Sequence, residues 1–199
     1  KRDELLTASE GGEEAVDDLT LGPLRRLPVA GRLAAWREAR GSLEAAAAHL
    51  ADGTRVPWYG PSMGAASFLT ARLMECWAHG QDIVDAVGGA RPPTDRLRHI
   101  AHLGVITRGW SYANRGLEAP EGEVHVALTT PSGELWTWGD YEADDWVKGS
   151  AQDFCLVVTQ RRHPDDVDLD VRGELAADWM AKAQAFAGPP TDGPAPGAG

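Results

Sequence analysis

The chain has 199 residues, of which 43% are hydrophobic and 25% charged, a globular balance long enough for one large domain or two small ones. A net charge of −11 argues against nucleic acid and anionic membrane surfaces as partners, since both call for a basic face. No apolar run approaches the ~20 residues of a membrane span, and no signal peptide is visible.

Lys1 to Leu21 is acidic, with weak helical periodicity on either side of Gly11-Gly12, and Pro23 and Pro28 bracket a turn. From Ala30 to Leu50 the residues Leu33, Trp36, Leu43, Ala47 and Leu50 share one helical face. His49 lies near the end of that helix, where an imidazole ordinarily meets the dipole or solvent. Thr54 to Gly64 reads as a loop set by Pro57, Gly60 and Pro61. Trp58 and Tyr59 at its centre either cap a helical core or wall the mouth of a site.

Ala66 to Val87 is predicted to be one long helix. Leu69, Leu73, Cys76, Gly80, Ile83 and Val87 form its apolar stripe, and Arg72, Glu75, His79 and Asp82 form a polar line displaced by about 100°. Such a line faces the seam between helices, where bundles build metal and ligand sites. Glu75 and His79, at i and i+4, can converge on one point, and both are good ligands for zinc or a similar divalent ion. On spacing alone the ordinary reading is an intrahelical ion pair with Arg72 reaching Glu75, because a metal site needs more ligands.

Beyond Arg91-Pro92-Pro93-Thr94, a helix is predicted from Asp95 to Asn114 with Thr94 as its N-cap. Leu97, Ile100, Ala101, Gly104, Val105 and Trp110 mark its apolar face. His99 and His102 read as interhelical hydrogen bonders. Gly116 to Gly122 is a linker, after which the period changes. Val124–Leu128, Glu134–Trp138 and Asp145–Lys148 read as strands, and Ser150 with Asp153 caps a helix through Gln160. Val167–Val171 is a last strand, with Asp168 and Asp170 on its solvated face, and Leu175–Phe186 a closing helix. Cys76 and Cys155 are too few for a disulfide framework and sit in apolar helical patterns, which predicts buried thiols in a reducing cytoplasm.

The segment ARLMECWAHGQDIVDAVG resembles the metal-binding helix of the DinB-like, mycothiol-dependent maleylpyruvate isomerase family, whose pattern is roughly Arg-x-x-Glu-x-x-x-His-x-x-Asp. It is similar to an uncharacterised actinobacterial branch, which VPWYGPSM, RPPTDRLRHIAHLG and GELWTWG also resemble. The resemblance runs from about Thr54 to Gly188. It implies an α+β protein: a DinB-like helical bundle over residues 1–120 and an α+β domain with a mainly antiparallel sheet over 121–187, while the tail over 188–199 reads as disordered by composition.

The resemblance also implies a site. Glu75 and His79 would bind zinc or another divalent metal, together with a His on an earlier helix. The chain opens at Lys1 without a start methionine, inside a helical segment, so that helix and its ligand are expected to be missing and the bundle incomplete. Asp82 would orient His79, or else pair with it as simple charge, and Arg72 would support Glu75. In GSAQD and the run after it, Arg161 resembles an arginine that helps bind anionic substrate, a role Arg162 could fill instead. Metal-bound mycothiol would become a thiolate that adds to a small electrophilic substrate, giving isomerisation or a thiol adduct. The alternatives are a non-catalytic small-molecule-binding protein with a lapsed metal site and an accessory interaction protein of a biosynthetic cluster.

Overall fold

A computed structural model describes residues 2–51, 53–57 and 62–198. The chain clusters into two compact units, residues 1–69 and 70–199.

The first unit is helical. It comprises α1 (Arg2–Glu10), α2 (Glu13–Thr20), α3 (Gly22–Arg25) and α4 (Val29–Ala47), followed by β1 (Arg55–Val56), β2 (Met63–Gly64) and the start of α5 (Ala65–Ala86). Gly12, with φ 88°, separates α1 from α2 in a conformation that a side chain rarely adopts. The stretch expected to be a loop contains an antiparallel pair instead, with Arg55 opposite Gly64 and Val56 opposite Met63. Arg55 reinforces it by donating to the Ser62 hydroxyl at 3.1 Å and to the Ser62 carbonyl. The face anticipated on α4 is open: Leu33, Trp36 and Leu43 are all exposed, and the Arg40 guanidinium stands 5.3 Å from the Trp36 ring.

The second unit holds the rest of α5, then α6 (Leu97–Ile106), α7 (Arg108–Ala113), β3 (Val124–Thr129), β4 (Leu135–Trp138), β5 (Asp145–Ser150), α8 (Ala151–Val158), a 3-10 turn at Pro164–Asp166, β6 (Leu169–Arg172) and α9 (Glu174–Lys182). The sheet order is β4-β3-β5-β6. β3 pairs antiparallel with β4 and parallel with β5, and β5 pairs antiparallel with β6. The protein is therefore α+β with a mainly antiparallel sheet, as the alternation beyond Gly122 predicts.

One sheet face makes the core. Val126, Leu128 and Val147 on it share one buried cluster with Ile100 and Ala101 of α6, Phe154 and Val158 of α8, and Trp179 of α9. Phe154 meets Trp179 edge to face at 5.9 Å, and burying a side chain of that size contributes roughly 1.5–3 kcal/mol. Met74 and Ala78 of α5 belong to the same cluster. The period switches at Gly116–Gly122 as expected, and the helices before it and the strands after it share this core. Arg108 ties the link down by donating to the carbonyls of Pro120 and Gly122.

Three local expectations change. The helix foreseen from Asp95 begins at Leu97 after a turn, with Arg96 rather than Thr94 at its N-cap, and it is broken at Thr107. There the Thr107 hydroxyl donates back to the Leu103 carbonyl at 2.7 Å, the local competition that bends helices. His102 accepts from Trp138 Nε1 at 3.2 Å, so its partner is a strand rather than another helix. Cys155 is buried as predicted, whereas Cys76 is exposed.

The tail, read from composition as disordered, is tied to the second unit. Arg115 pairs with Asp192 at 2.8 Å, Gln160 donates to the Thr191 carbonyl at 2.8 Å, and the Gly197 amide bonds Asp166. Among the described residues no helix is long and apolar enough to cross a membrane.

Candidate functional site

The predicted polar line lies along α5, but the face that packs is not the predicted stripe. Met74, Ala78 and Gln81 are buried, whereas Cys76, Ile83 and Val87 are exposed. At 100° per residue, Glu75, His79 and Asp82 sit one position round from that buried line, on its flank. The cause is Arg91. Its guanidinium lies 5.2 Å from the Trp77 ring and donates to the Trp77 carbonyl and to Gln81 Oε1, both at 3.0 Å. Gln81 passes the interaction on, donating to Asp85 at 2.9 Å. A polar Gln at a buried position is satisfied by this clasp, which hydropathy alone does not reveal.

Glu75 and His79 converge as their spacing predicts. His79 Nε2 lies 3.3 Å from Glu75 Oε2, and His79 Nδ1 lies 3.0 Å from Asp82 Oδ2. Arg72 approaches Glu75 Oε1 at 3.9 Å. Asp82 is held ionised, its carboxyl lowered below the usual range chiefly by the hydrogen bonds from Arg161, with a smaller contribution from His79. An ionised carboxylate only accepts, so the bond to His79 places a proton on Nδ1 and, in the neutral ring, leaves the Nε2 lone pair toward Glu75.

These residues can be tested against a divalent ion. In a tetrahedral zinc site with bonds of ~2.0–2.1 Å, neighbouring ligand atoms stand roughly 3.3 Å apart. The Glu75–His79 separation matches that bite, and a carboxylate behind the second imidazole nitrogen is the usual support of a ligating histidine. The pair thus fits as two donors. The set is incomplete here: among the described residues no three His, Cys, Asp or Glu side chains converge to hold a metal ion. The His79 side chain is 67% exposed, so the pair lies at the surface rather than at the bottom of a pocket.

Arg161 and Arg162 reach the same helix from the end of α8. Gln160 adopts φ 58° and closes α8, with the Arg161 amide reaching back to the Leu156 carbonyl at 2.8 Å. This left-handed ending is normally a glycine position and costs a non-glycine residue on the order of 1 kcal/mol. The Gln160 side chain offsets that cost by donating to the Ala183 and Thr191 carbonyls. The turn aims two consecutive arginines at two aspartates one helical turn apart. Arg161 grips Asp82 through Nε and Nη2, both at 3.0 Å, and its Nη1 donates to the Thr159 carbonyl at 2.6 Å. Arg162 grips Asp85 at 2.9 and 2.8 Å. A cavity of about 440 Å³ opens beside these pairs, bounded by Asp82, Arg161, Arg162, Phe186 and Pro194.

Arg161, expected to touch substrate or thiol, is thus joined to the His79 line through Asp82. Trp58 and Tyr59, the other candidates for that contact, lie outside the described residues. The matched Arg161-Arg162 and Asp82/Asp85 pairs were the available signal for this seam; nothing in hydropathy announces them.

Comparison with known proteins places the chain. The mycothiol maleylpyruvate isomerase N-terminal domain matches residues 2–84, a span that ends just past Asp82. Two uncharacterized proteins of Mycobacterium tuberculosis, from strains CDC 1551 / Oshkosh and H37Rv, are each 46% identical over 190 residues, covering 96% of this chain and 74% of their own length. No solved structure matches. The family match reaches well before Thr54, where the motif-based resemblance began. The chain belongs to the mycothiol maleylpyruvate isomerase N-terminal domain family.

Proposed function

We propose that the protein is a metal-dependent, mycothiol-using enzyme acting on a small electrophilic substrate, as an isomerase or a thiol transferase. The observation that carries this reading is the carboxylate–imidazole pair of Glu75 and His79 at 3.3 Å, with Nδ1 of the same ring held by Asp82, in a chain of this family.

In this reading Glu75 and His79 hold zinc or another divalent ion, with the third donor unassigned in this chain. When bound, such an ion supplies Lewis acidity that lowers the pKa of a thiol at neutral pH. The chain's own residues do the rest. Asp82 keeps the His79 proton on Nδ1, which leaves Nε2 as a donor atom. Arg72 holds the Glu75 carboxylate near the line, and the cavity beside Asp82 is bounded by Phe186 and by the paired Arg161 and Arg162. A reducing cytoplasm, where a low-molecular-weight thiol is abundant, is the setting this chemistry calls for.

The second reading, a small-molecule-binding protein with a lapsed metal site, is favoured by the exposure of His79 and by the absence of a third convergent donor among the described residues. Incubating the full chain with mycothiol and a panel of α,β-unsaturated acids, with and without added zinc, separates the two. Zinc-dependent isomerisation or adduct formation that Glu75→Gln abolishes supports the enzyme. Retention of an acid ligand without turnover, unchanged by zinc, supports the binding protein.

A further inference from the structure

Both arginine–aspartate pairs on the α5 seam are two-point, Arg161 gripping through Nε and Nη2 and Arg162 through Nη1 and Nη2, and each aspartate bonds onward to a different residue of α5. Asp85, held by Arg162, accepts from Gln81, which in turn accepts from the half-buried Arg91. Asp82, held by Arg161, bonds onward to His79 Nδ1. We propose that Arg161 is a positioning residue: by gripping both oxygens of Asp82 it holds that carboxylate where it keeps the proton on His79 Nδ1 and turns Nε2 toward Glu75.

The geometry explains why an arginine serves here. Asp82 sits on an exposed flank of α5, and its side chain is 48% accessible. Left alone, an aspartate there has several rotamers open to it and would exchange His79 for water. The guanidinium fork removes that freedom, because two parallel N–H bonds fix the plane of the carboxylate as well as its place. Arg161 is itself anchored. Its side chain is 16% accessible, its third nitrogen donates to the Thr159 carbonyl, and Thr159 is fully buried with its hydroxyl on the Cys155 carbonyl. The rigidity of the α8 end is thus handed through Thr159, Arg161 and Asp82 to the imidazole. A lysine at position 161 could reach one Asp82 oxygen but not fix the plane.

The inference deepens the metal reading and rests on it for its purpose, although the effect on the ring does not need a metal to be seen. Long-range proton–nitrogen correlation spectra of the ¹⁵N-labelled full chain, recorded where His79 is neutral and assigned with a His79→Gln variant among the six histidines, report which ring nitrogen carries the proton. In the unsubstituted chain the Nδ1–H form should dominate. Arg161→Gln should give a mixture of the two tautomers, Arg161→Lys an intermediate population, and Arg162→Gln, the matched control, no change. Titration of the same samples with Co²⁺, followed by broadening of the His79 ring protons, should show affinity about tenfold weaker for Arg161→Gln and unchanged for Arg162→Gln. An unaltered tautomer in a folded Arg161→Gln or Arg161→Lys chain, or the same change in Arg162→Gln, overturns the positioning role. Failure of Co²⁺ to broaden His79 in the unsubstituted chain overturns the metal reading instead, and the tautomer spectra then decide the role of Arg161 by themselves.

Discussion

A β-carbon on Gly80 would stand 2.6 Å from Arg91 Nη1, so the absence of a side chain at position 80 is what admits the arginine to α5. The contact sets the rotation of the helix, because Arg91 satisfies Gln81 and the Trp77 carbonyl on the buried side and leaves Glu75, His79 and Asp82 on the flank. Gly80→Ala should therefore destabilise the protein even though alanine is the better helix former. The helix gains about 1 kcal/mol from the substitution. Displacing Arg91 leaves the buried Gln81 amide short of a partner, which costs about 1–3 kcal/mol. The expected net loss is about 1 kcal/mol by urea denaturation. In an Arg91→Ala background the same substitution should stabilise the chain, since nothing remains to be displaced.

The α6–α8 contact gives a second test. A β-carbon on Gly104 would lie 2.8 Å from Val158 Cγ2 and 3.1 Å from the Phe154 ring, all within the core. Here the obstacle is packed side chain rather than the free end of an arginine. Gly104→Ala should lower stability by up to about 2 kcal/mol, as overpacking at ~1–3 kcal/mol offsets and exceeds the helix gain of about 1 kcal/mol. A thermal melt with a higher midpoint than the unsubstituted chain would show that the helices can separate without loss.

Much of this was readable in the sequence. The strand periods, the Ser150 cap (whose hydroxyl accepts from the Asp153 amide at 2.9 Å) and the convergence of Glu75 with His79 follow from rules of local spacing, and local geometry enforces them. The rotation of α5 was not readable. Ile83 and Val87 are more apolar than Gln81, and only the distant Arg91 makes the glutamine the buried residue. The break at Thr107 and the arginine fork on Asp82 are hidden for the same reason: each depends on a polar bond whose partner is remote in sequence or competes with the helix, and hydropathy periodicity carries no trace of it.

Acid should weaken the second unit. The Asp85 carboxyl is lowered chiefly by hydrogen bonds from Arg162, and that of Asp178 by hydrogen bonds from Lys182 and then Tyr112. Groups with depressed folded values stabilise the protein above their unfolded value, about 3.9 for aspartate, and that contribution is lost as pH falls through the folded value. The urea midpoint should hold steady near neutrality and drop below about pH 4. Arg162→Gln should lower the midpoint at pH 7 and flatten the acid limb. An acid limb unchanged by that substitution would remove Asp85 from the account.

The two thiols should behave differently toward alkylating reagents. Cys76 is exposed on α5, whereas Cys155 is buried with its Sγ 3.7 Å from the Leu97 carbonyl, and burial pushes its thiol up beyond the ordinary cysteine range. Iodoacetamide at pH 8 should label Cys76 in the folded chain, and Cys155 only after unfolding. Equal labelling of both, read by peptide mass, would contradict the burial of α8.

The central claim is that Glu75 and His79 are metal ligands. Among the described residues two protein donors converge, one short of the three found in catalytic zinc sites, so the chain should purify largely metal-free and take up zinc weakly unless His49, His99, His102 or a partner chain completes the sphere. Calorimetric titration of the full chain with Zn²⁺, beside His79→Ala, tests this most directly. Weak binding of one ion, abolished by His79→Ala, is the expected result; stoichiometric zinc that the His79→Ala chain retains would contradict it.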